Sequence, residues 1–270
     1  MRLHRTSRAP AVSPLALASF QRQGARLLGG HINAVRLARE PRPDLLTLRQ
    51  RPLLIYLNRS SWWDPLVCMQ LAAQLLPHRR HYAPMAAEEQ RRMPLFGRLG
   101  FFAVDSASAW SVRQVVDAAG QVFQQPDAAL WLAPAGSPAD PRQRPARLPA
   151  GLGHLVSRLR QGVLLPLAVE YPFWNGRLPE ALLRFGEELA VEDAGMRARD
   201  WTDVLTAQLE AAQGALAAAA VERDPARFEV LGAGEAGAGG VHEAWRRLGT
   251  LLRRGHPRPT PGKAGAETER

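Results

Sequence analysis

The chain has 270 residues, of which 46% are apolar, so it can bury one large core or two smaller ones. Its net charge of +10 comes almost entirely from arginine, because Lys263 is the only lysine. Such an excess favours anionic partners: phospholipid surfaces, acyl-carrier proteins or nucleic acid. A single cysteine, Cys68, excludes disulfide frameworks and cysteine-based metal clusters. No apolar run approaches the ~18 residues of a membrane span, so we expect no transmembrane segment.

Residues 1–40 are predicted to form a basic tail followed by an amphipathic helix. Ser13 and Pro14 are typical of an N-cap and a first helical position. Apolar residues then recur at helical spacing as far as Val35, with arginines between them. This helix either rests on anionic lipid or packs on the domain with a solvated arginine face. Serine and proline interrupt the apolar part of the N-terminal segment, so we expect no secretory signal.

Residues 41–230 alternate between strand-like and helix-like patterns, which predicts an α/β domain with helices flanking a mixed, mostly parallel sheet. The predicted strands are 53–57, 81–86, 101–105, 128–134, 162–174 and 182–185. The predicted helices are 64–76, 88–99, 109–125, 151–161 and 200–222. Residues 231–270 predict a flexible Gly/Pro-rich tail, in which a short basic helix over 241–254 is a second candidate for membrane contact.

The stretch PLLIYLNRSSWWDPLV, residues 52–67, combines an apolar strand, a polar turn and a helix start. Polar groups at the carboxyl end of a strand, beside a helix N-terminus, lie where open α/β sheets usually bind ligands. The stretch resembles the first signature block of the glycerol-phosphate and lysophosphatidate acyltransferase family, Asn-His, four residues, then Asp. That resemblance implies a histidine that deprotonates the acceptor hydroxyl and an aspartate that orients it. Asn58, Trp62, Trp63 and Asp64 fit the block, but Arg59 occupies the histidine position.

Arg59 cannot serve as the general base, because a guanidinium stays protonated and has no lone pair to offer. It can pair with Asp64, or hold a phosphate or carboxylate through its planar fork. Asp64 is then either an orienting residue without its partner or a first-turn carboxylate favoured by the helix dipole. If acyl transfer persists, a substitute base is needed, and His154 is the candidate nearest to the expected pocket. We expect His81, at the start of the second predicted strand, to lie opposite the site.

Three later segments resemble the remaining blocks of the family. In GRLGFFAVD, Gly100 matches, Ser106 replaces an arginine that holds the acceptor's phosphate, and Arg98 lies nearby. In Pro134–Ser137, Gly136 and Ser137 match, but the glutamate and arginine of the block are missing. Arg142 and Arg144 follow, and this arginine-rich loop either supplies phosphate contacts from a shifted position or is a solvated charge run. The fourth block implies that Pro166 helps to line the acyl site.

The chain therefore resembles a divergent member of this family. The resemblance implies that it acts at the cytoplasmic face of the membrane. The resemblance implies transfer of a fatty acyl group from a CoA or acyl-carrier thioester to a lysophospholipid-like hydroxyl, without metal or bound cofactor. Aromatic residues are not interleaved with the arginines in any recognisable module, so we expect no nucleic-acid partner. We expect this activity to be weak or lost because of Arg59. The alternative is a non-catalytic protein that binds acyl lipid or partners an active acyltransferase. The candidate catalytic residues are Asp64, Arg59 and His154, and the candidate substrate-binding residues are Asn58, Trp62, Trp63, Arg98, Gly100, Gly136, Ser137, Arg142, Arg144 and Pro166. For the two tryptophans, the alternative role is that of core or interface anchors.

Overall fold

The computed structural model describes residues 10, 12–44, 47–105, 110–134, 138–146, 148–192 and 195–233. The α-helices are α1 (Pro14–His31), α2 (Asp64–Leu75), α3 (Ala87–Arg92), α4 (Trp110–Val122), α5 (Ala150–Val156) and α6 (Ala198–Glu222). The strands are β1 (Ala34–Ala38), β2 (Leu53–Leu57), β3 (Arg80–Ala86), β4 (Phe101–Val104), β5 (Ala128–Leu132), β6 (Gln161–Glu170), β7 (Glu180–Phe185), β8 (Leu189–Glu192) and β9 (Phe228–Ala233). Short 3-10 helices occupy Thr47–Gln50, Pro94–Leu99 and Pro225–Arg227.

Within these residues, the strands form a single sheet in the order β4-β3-β5-β2-β6-β7-β1-β9, and β8 pairs with β6. Strands β4, β3, β5, β2 and β6 run parallel to one another. Strand β7 is antiparallel to β6, β1 is parallel to β7, and β9 is antiparallel to β1. The predicted fold class, a mixed and mostly parallel sheet flanked by helices, is confirmed.

Helices cover both faces of the central strand β2. Leu53, Ile55 and Leu57 point into a core shared with α1 and α2. Leu54 and Tyr56 point into a second core, shared with α4, α5 and α6. All five residues of β2 are therefore buried, which is why this strand appears in the sequence as a continuous apolar run.

The first helix begins as predicted but ends earlier. The Ser13 hydroxyl accepts a hydrogen bond from the backbone N–H of Ala16 at 3.4 Å, which confirms the N-cap. The prediction that the helix continues to Val35 is wrong, since Ala34–Ala38 forms a strand within the sheet. Pairing of this segment with β7 and β9 buries Val35 and Leu37, and this tertiary pairing outweighs the helical spacing of its apolar residues.

Two predictions around Pro94 also need correction. The helix predicted over 88–99 is split into α3 and a 3-10 helix, because Pro94 lacks an N–H and keeps Met93 out of the helical region, with φ −129° and ψ 72°. The predicted strand 101–105 forms as β4, but it lies at the edge of the sheet. Only Phe102 of this strand is buried, so it is not the buried strand that its apolar sequence indicates.

The C-terminal end of the described chain returns to the sheet. Strand β9 includes residues 231–233, which the sequence assigned to the flexible tail. Helix α6 is long and apolar enough, by length and composition, to cross a membrane. However, its residues Trp201, Leu205 and Leu209 are buried in the second core, as in a core helix of the domain. The predicted helix 241–254 and the segment 1–9 lie outside the described residues.

Candidate ligand site

A cavity of about 210 Å³ lies between α1, α2 and the sheet. Its walls come from α1, from α2, from the carboxyl ends of β2 and β5, from β3, and from the segment that enters β4. Most of the lining is apolar and includes Leu17, Leu57, Met69, Ala72, Leu99 and Trp131. The ionisable side chains in the lining are Arg59, Asp64, Cys68, His81 and Tyr82.

Asp64 is positioned by the turn that joins β2 to α2. Its Oδ2 accepts hydrogen bonds from the backbone N–H groups of Ser60 and Ser61, at 2.9 and 3.1 Å. Its Oδ1 accepts from the hydroxyl of Tyr171 at 2.8 Å, which ties the turn to the end of β6. Burial raises the pKa of Asp64, although these three hydrogen bonds and the charge of Arg59 act in the opposite direction. The buried carboxylate thus borders the cavity with most of its acceptor capacity in use.

Arg59, at the family's histidine position, also lines the cavity and is half-buried. Its carbonyl oxygen accepts from the backbone N–H of Ala139 at 2.9 Å, so the loop after β5 packs against this turn. Among the described residues, Ser60, Ser61 and Tyr171 are the donors to Asp64. Arg59 acts on that carboxylate through its charge. A direct Arg59–Asp64 hydrogen-bonded pair, considered from the sequence, is therefore not formed.

His81 lines the same cavity, so the expectation that it lies opposite the site is wrong. Its Nδ1 accepts from the indole N–H of Trp131 at 3.1 Å, and its Nε2 donates to the carbonyl oxygen of Leu76 at 3.0 Å. Burial lowers the pKa of His81 to about 4, the charge of Arg79 acts in the same direction, and the bond to Leu76 opposes both. The imidazole is therefore neutral at pH 7, but its one lone pair is already engaged. This contact depends on the pairing of β3 with β5, which no local sequence pattern indicates.

Gly100 is required by this arrangement. Its φ is +100°, in the left-handed region that favours glycine. A Cβ atom built there would lie 2.0 Å from the carbonyl oxygen of His81. Gly100 thus allows the start of β4 to approach β3 closely at the cavity wall, and this is a structural contribution to the site.

Several predicted site residues lie away from the cavity. His154 is exposed on α5, which packs on the opposite face of the sheet. Pro166 pairs with Tyr56, and its ring lies close to Gly186 on the α6 side, so it does not line this cavity. Arg98 is exposed, and its carbonyl accepts from the backbone N–H of Ser13 at 2.8 Å. The face on which a strand residue points depends on register, which the sequence blocks do not specify.

Asn58 and the two tryptophans surround the turn without lining the cavity. The Asn58 side chain accepts from the N–H of Val169 at 2.8 Å and donates to its carbonyl oxygen at 2.9 Å, which joins the ends of β2 and β6. The Trp63 ring packs on His31, with a centroid distance of 4.9 Å. Trp62 is 80% exposed. The Asn58 side chain thus holds the turn against β6 through the backbone of Val169, and Trp63 packs the start of α2 against α1.

A second, wider cleft of about 740 Å³ lies beside the turn, at the carboxyl end of β6. Arg142 lines it and donates to the buried carboxylate of Glu170. Arg144 is exposed and donates to the carbonyls of Pro141 and Gln143, both at 2.9 Å. Gly136 and Ser137 lie outside the described residues. No group of three or more His, Cys, Asp or Glu within the described ranges is arranged to hold a metal ion.

Comparison with known proteins gives one kind of match. No protein-family model matches the chain, and no curated protein sequence matches it. Six solved chains match in structure. One of them is the 1-acyl-sn-glycerophosphate (LPA) acyltransferase PlsC from Thermotoga maritima, with a TM-score of 0.46 and 14% sequence identity. The match covers 75% of this chain and 80% of that chain. The activity in that name belongs to that protein.

Proposed function

We propose that the protein binds a single fatty acyl chain in the cavity between α1, α2 and the sheet. The carbonyl end of that chain, as a carboxylate, thioester or ester, lies at Arg59. The supporting observation is that an apolar cavity of about 210 Å³ has a half-buried guanidinium in its lining. For comparison, an apolar cavity of about 150 Å³ is enough to hold benzene. The acyl segment lies along Met69 and Ala72 of α2, and its carboxylate, thioester or ester oxygen accepts hydrogen bonds from Arg59.

The charge around Arg59 suits this orientation. Asp64 already accepts from Ser60, Ser61 and Tyr171, so its carboxylate does not need the guanidinium as a donor. Arg59 therefore keeps donors for a ligand oxygen. A planar guanidinium binds carboxylate or phosphate through two parallel hydrogen bonds, which gives orientation as well as affinity.

Acyl transfer is a second candidate function, and the position of Asp64 favours it. Arg59 has no lone pair, and the lone pair of His81 accepts from Trp131. Among the described residues of the cavity lining, Asp64 supplies the carboxylate. Burial raises the pKa of Asp64, which makes it a stronger base than an exposed aspartate. In this reaction Asp64 takes the proton of an acceptor hydroxyl, the oxygen forms the new ester bond, and the thioester C–S bond breaks to release a thiolate.

Ligand binding is testable through Cys68, the only cysteine of the chain, which lines the cavity. A small, neutral thiol reagent is expected to modify Cys68 more slowly when octanoate is bound. Replacing Arg59→Gln is expected to weaken octanoate binding about tenfold or more, because a hydrogen bond to a charged group is worth about 1.5–3 kcal/mol. Arg144→Gln is the matched control, since Arg144 is exposed and lies outside the cavity lining. Equal labelling rates with and without octanoate would refute acyl binding in this cavity.

Turnover assays separate the two candidate functions. The wild type is compared with Arg59→His and Asp64→Asn, using acyl-CoA or acyl-carrier protein as donor and a panel of lysolipid and sugar-lipid acceptors. Acyl transfer with Asp64 as base predicts wild-type turnover that Asp64→Asn reduces by a factor of about 100 or more. A silent wild type together with an active Arg59→His variant shows that the site binds acyl groups but lost its chemistry at residue 59. Wild-type turnover that Asp64→Asn does not change rules out Asp64 as the base.

A further inference from the structure

The wider cleft of about 740 Å³ is separated from the cavity by the turn that carries Asp64. Ser60 and Tyr171 line the cleft, and both donate to the Asp64 carboxylate, which lines the cavity. The two spaces thus lie on opposite sides of one turn, and residues that line the cleft hold the aspartate that lines the cavity. The cleft volume falls within the range of about 300–1,000 Å³ that is usual for small-molecule sites.

We infer that this cleft binds a neutral polyhydroxylated head group, such as a sugar or glycerol, on the acyl lipid whose chain occupies the cavity. The inference rests on the proposed function, since the acyl chain anchors the head group beside the cleft. It names a class of ligand different from the phosphate-bearing acceptor that the sequence resemblance implies.

Hydrogen bonds of Arg142 connect three of the four charged residues that line the cleft, and the fourth is Arg223. Arg142 donates from its side chain to the buried carboxylate of Glu170, and its backbone N–H donates to Asp140 at 2.8 Å. A phosphate would have to enter beside both carboxylates, which repel it, and would have to compete with Glu170 for Arg142. Each hydroxyl of a sugar both donates and accepts, so it can bond to the carboxylates and to the guanidinium at once.

Aromatic side chains supply the apolar surface against which the C–H face of a sugar ring packs. Phe173 lines the cleft and is 62% exposed, which leaves most of a large apolar ring open to solvent. The Trp174 indole is held in place by its N–H bond to the carbonyl oxygen of Ala220 at 3.1 Å. The guanidinium of Arg36 lies 5.5 Å from the centre of the Trp174 ring. One aromatic wall of the cleft is therefore fixed before a ligand arrives.

Arg223 adds an independent observation. It follows the last residue of α6 with φ +54°, in the left-handed position that glycine or asparagine usually occupies after a helix. A non-glycine residue there carries a backbone cost. Arg223 lines the cleft, and a guanidinium donor for a ligand hydroxyl explains an arginine at this position.

The test compares three ligands with the same chain below their micelle concentrations: octyl glucoside, octyl phosphate and octanol. Dissociation constants are measured by calorimetry on the full-length protein. We expect the glucoside to bind about tenfold more tightly than octanol, consistent with one or two added hydrogen bonds. The phosphate is compared in the Arg59→Gln variant, which lacks the guanidinium that can hold a phosphate in the cavity. In that variant we expect the glucoside to bind more tightly than the phosphate, and phosphate binding equal to or tighter than glucoside binding overturns the inference.

Two variants assign the effect to the cleft. Phe173→Ala is expected to remove most of the advantage of the glucoside over octanol, whereas Leu15→Ala, at an exposed residue of α1 outside the cleft, is the matched control. Arg223→Gly is expected to weaken glucoside binding and to raise Tm by about 2–4 °C, because glycine relieves the left-handed backbone. If Arg223 had only a structural role, Arg223→Gly would change the glucoside affinity and Tm in the same direction. Unchanged glucoside affinity in both Phe173→Ala and Arg223→Gly refutes the head-group site.

The outcome also distinguishes this inference from the proposed function. If octanoate protects Cys68 but the glucoside has no advantage over octanol, the acyl site stands and the head-group site fails. If octanoate gives no protection, both fail.

Discussion

The lowered pKa of His81 makes the stability of the fold depend on pH. The folded chain keeps this imidazole neutral until about pH 4, whereas in the unfolded chain it takes up a proton near 6.5. Between these two values the unfolded state binds more protons, so the free energy of unfolding falls as the pH falls from 6.5 to 4. A pKa difference of this size contributes at most roughly 3 kcal/mol to the pH dependence of the free energy of unfolding. Asp64 acts in the opposite direction, because its raised pKa makes the folded state bind more protons on acidification.

Comparison with His81→Gln isolates the histidine contribution. Glutamine can donate to the carbonyl oxygen of Leu76 but does not titrate, and Asp64 is present in both proteins. Urea unfolding at pH 7 and at pH 4.5 is expected to show a larger loss of stability for the wild type than for the variant. Equal losses of stability in the two proteins would mean that folding does not lower the pKa of His81.

Part of the candidate site is predictable from the sequence, residue by residue. The resemblance of residues 58–64 to the first signature block predicts Arg59 and Asp64 as neighbours in the site, and both line the cavity. His81 and Trp131 were not placed there, because their contact with the cavity depends on the pairing of β3 with β5. Pro166 was assigned to the acyl site by resemblance, but the register of β6 turns it toward α6. Residues brought together by local turns were predictable, and those brought together by strand register were not.

Between elements, the backbone of α5 touches that of α6 at Gly153. A Cβ atom built on Gly153 would lie 2.0 Å from the carbonyl oxygen of Ala198 and 2.2 Å from the hydroxyl oxygen of Thr202. Gly153→Ala therefore forces the two helices apart and is expected to destabilise the fold by about 1–3 kcal/mol. Gly214→Ala is the control, because a Cβ there meets no atom within 4 Å, and it is expected to stabilise α6 by about 0.5–1 kcal/mol. Chemical denaturation of both variants tests the contact, which would be contradicted by equal stability.

The elements that the sequence predicted best are those with a local signal. The bounds of β2 agree residue for residue with its apolar run, and Ser13 marks the start of α1. Strands β1, β8 and β9 were missed because they are stabilised mainly by pairing with distant segments. Residues 34–38 even carried helical spacing, which the partners on both sides of the strand outweighed.

For the molecule as a whole, the meeting of β1 and β9 joins the two ends of the described chain in one sheet. Phe228 of β9 is 2% exposed and packs with α6 and with Trp174, whereas Val230 of the same strand is 50% exposed. Phe228→Ala is expected to cost about 3–5 kcal/mol, the range for removing a buried aromatic side chain. Val230→Ala is expected to cost less than about 1 kcal/mol.

Denaturant unfolding of the two variants, followed by tryptophan fluorescence, measures this difference. Because Trp174 lies against Phe228, with a centroid distance of 5.8 Å, Phe228→Ala is also expected to shift the emission of the folded protein. Trp174 lines the wider cleft, so the same substitution is expected to weaken octyl glucoside binding without changing octanoate protection of Cys68. Similar costs for Phe228→Ala and Val230→Ala would place β9 outside the packed sheet, and the aromatic wall of the cleft would then lose its support.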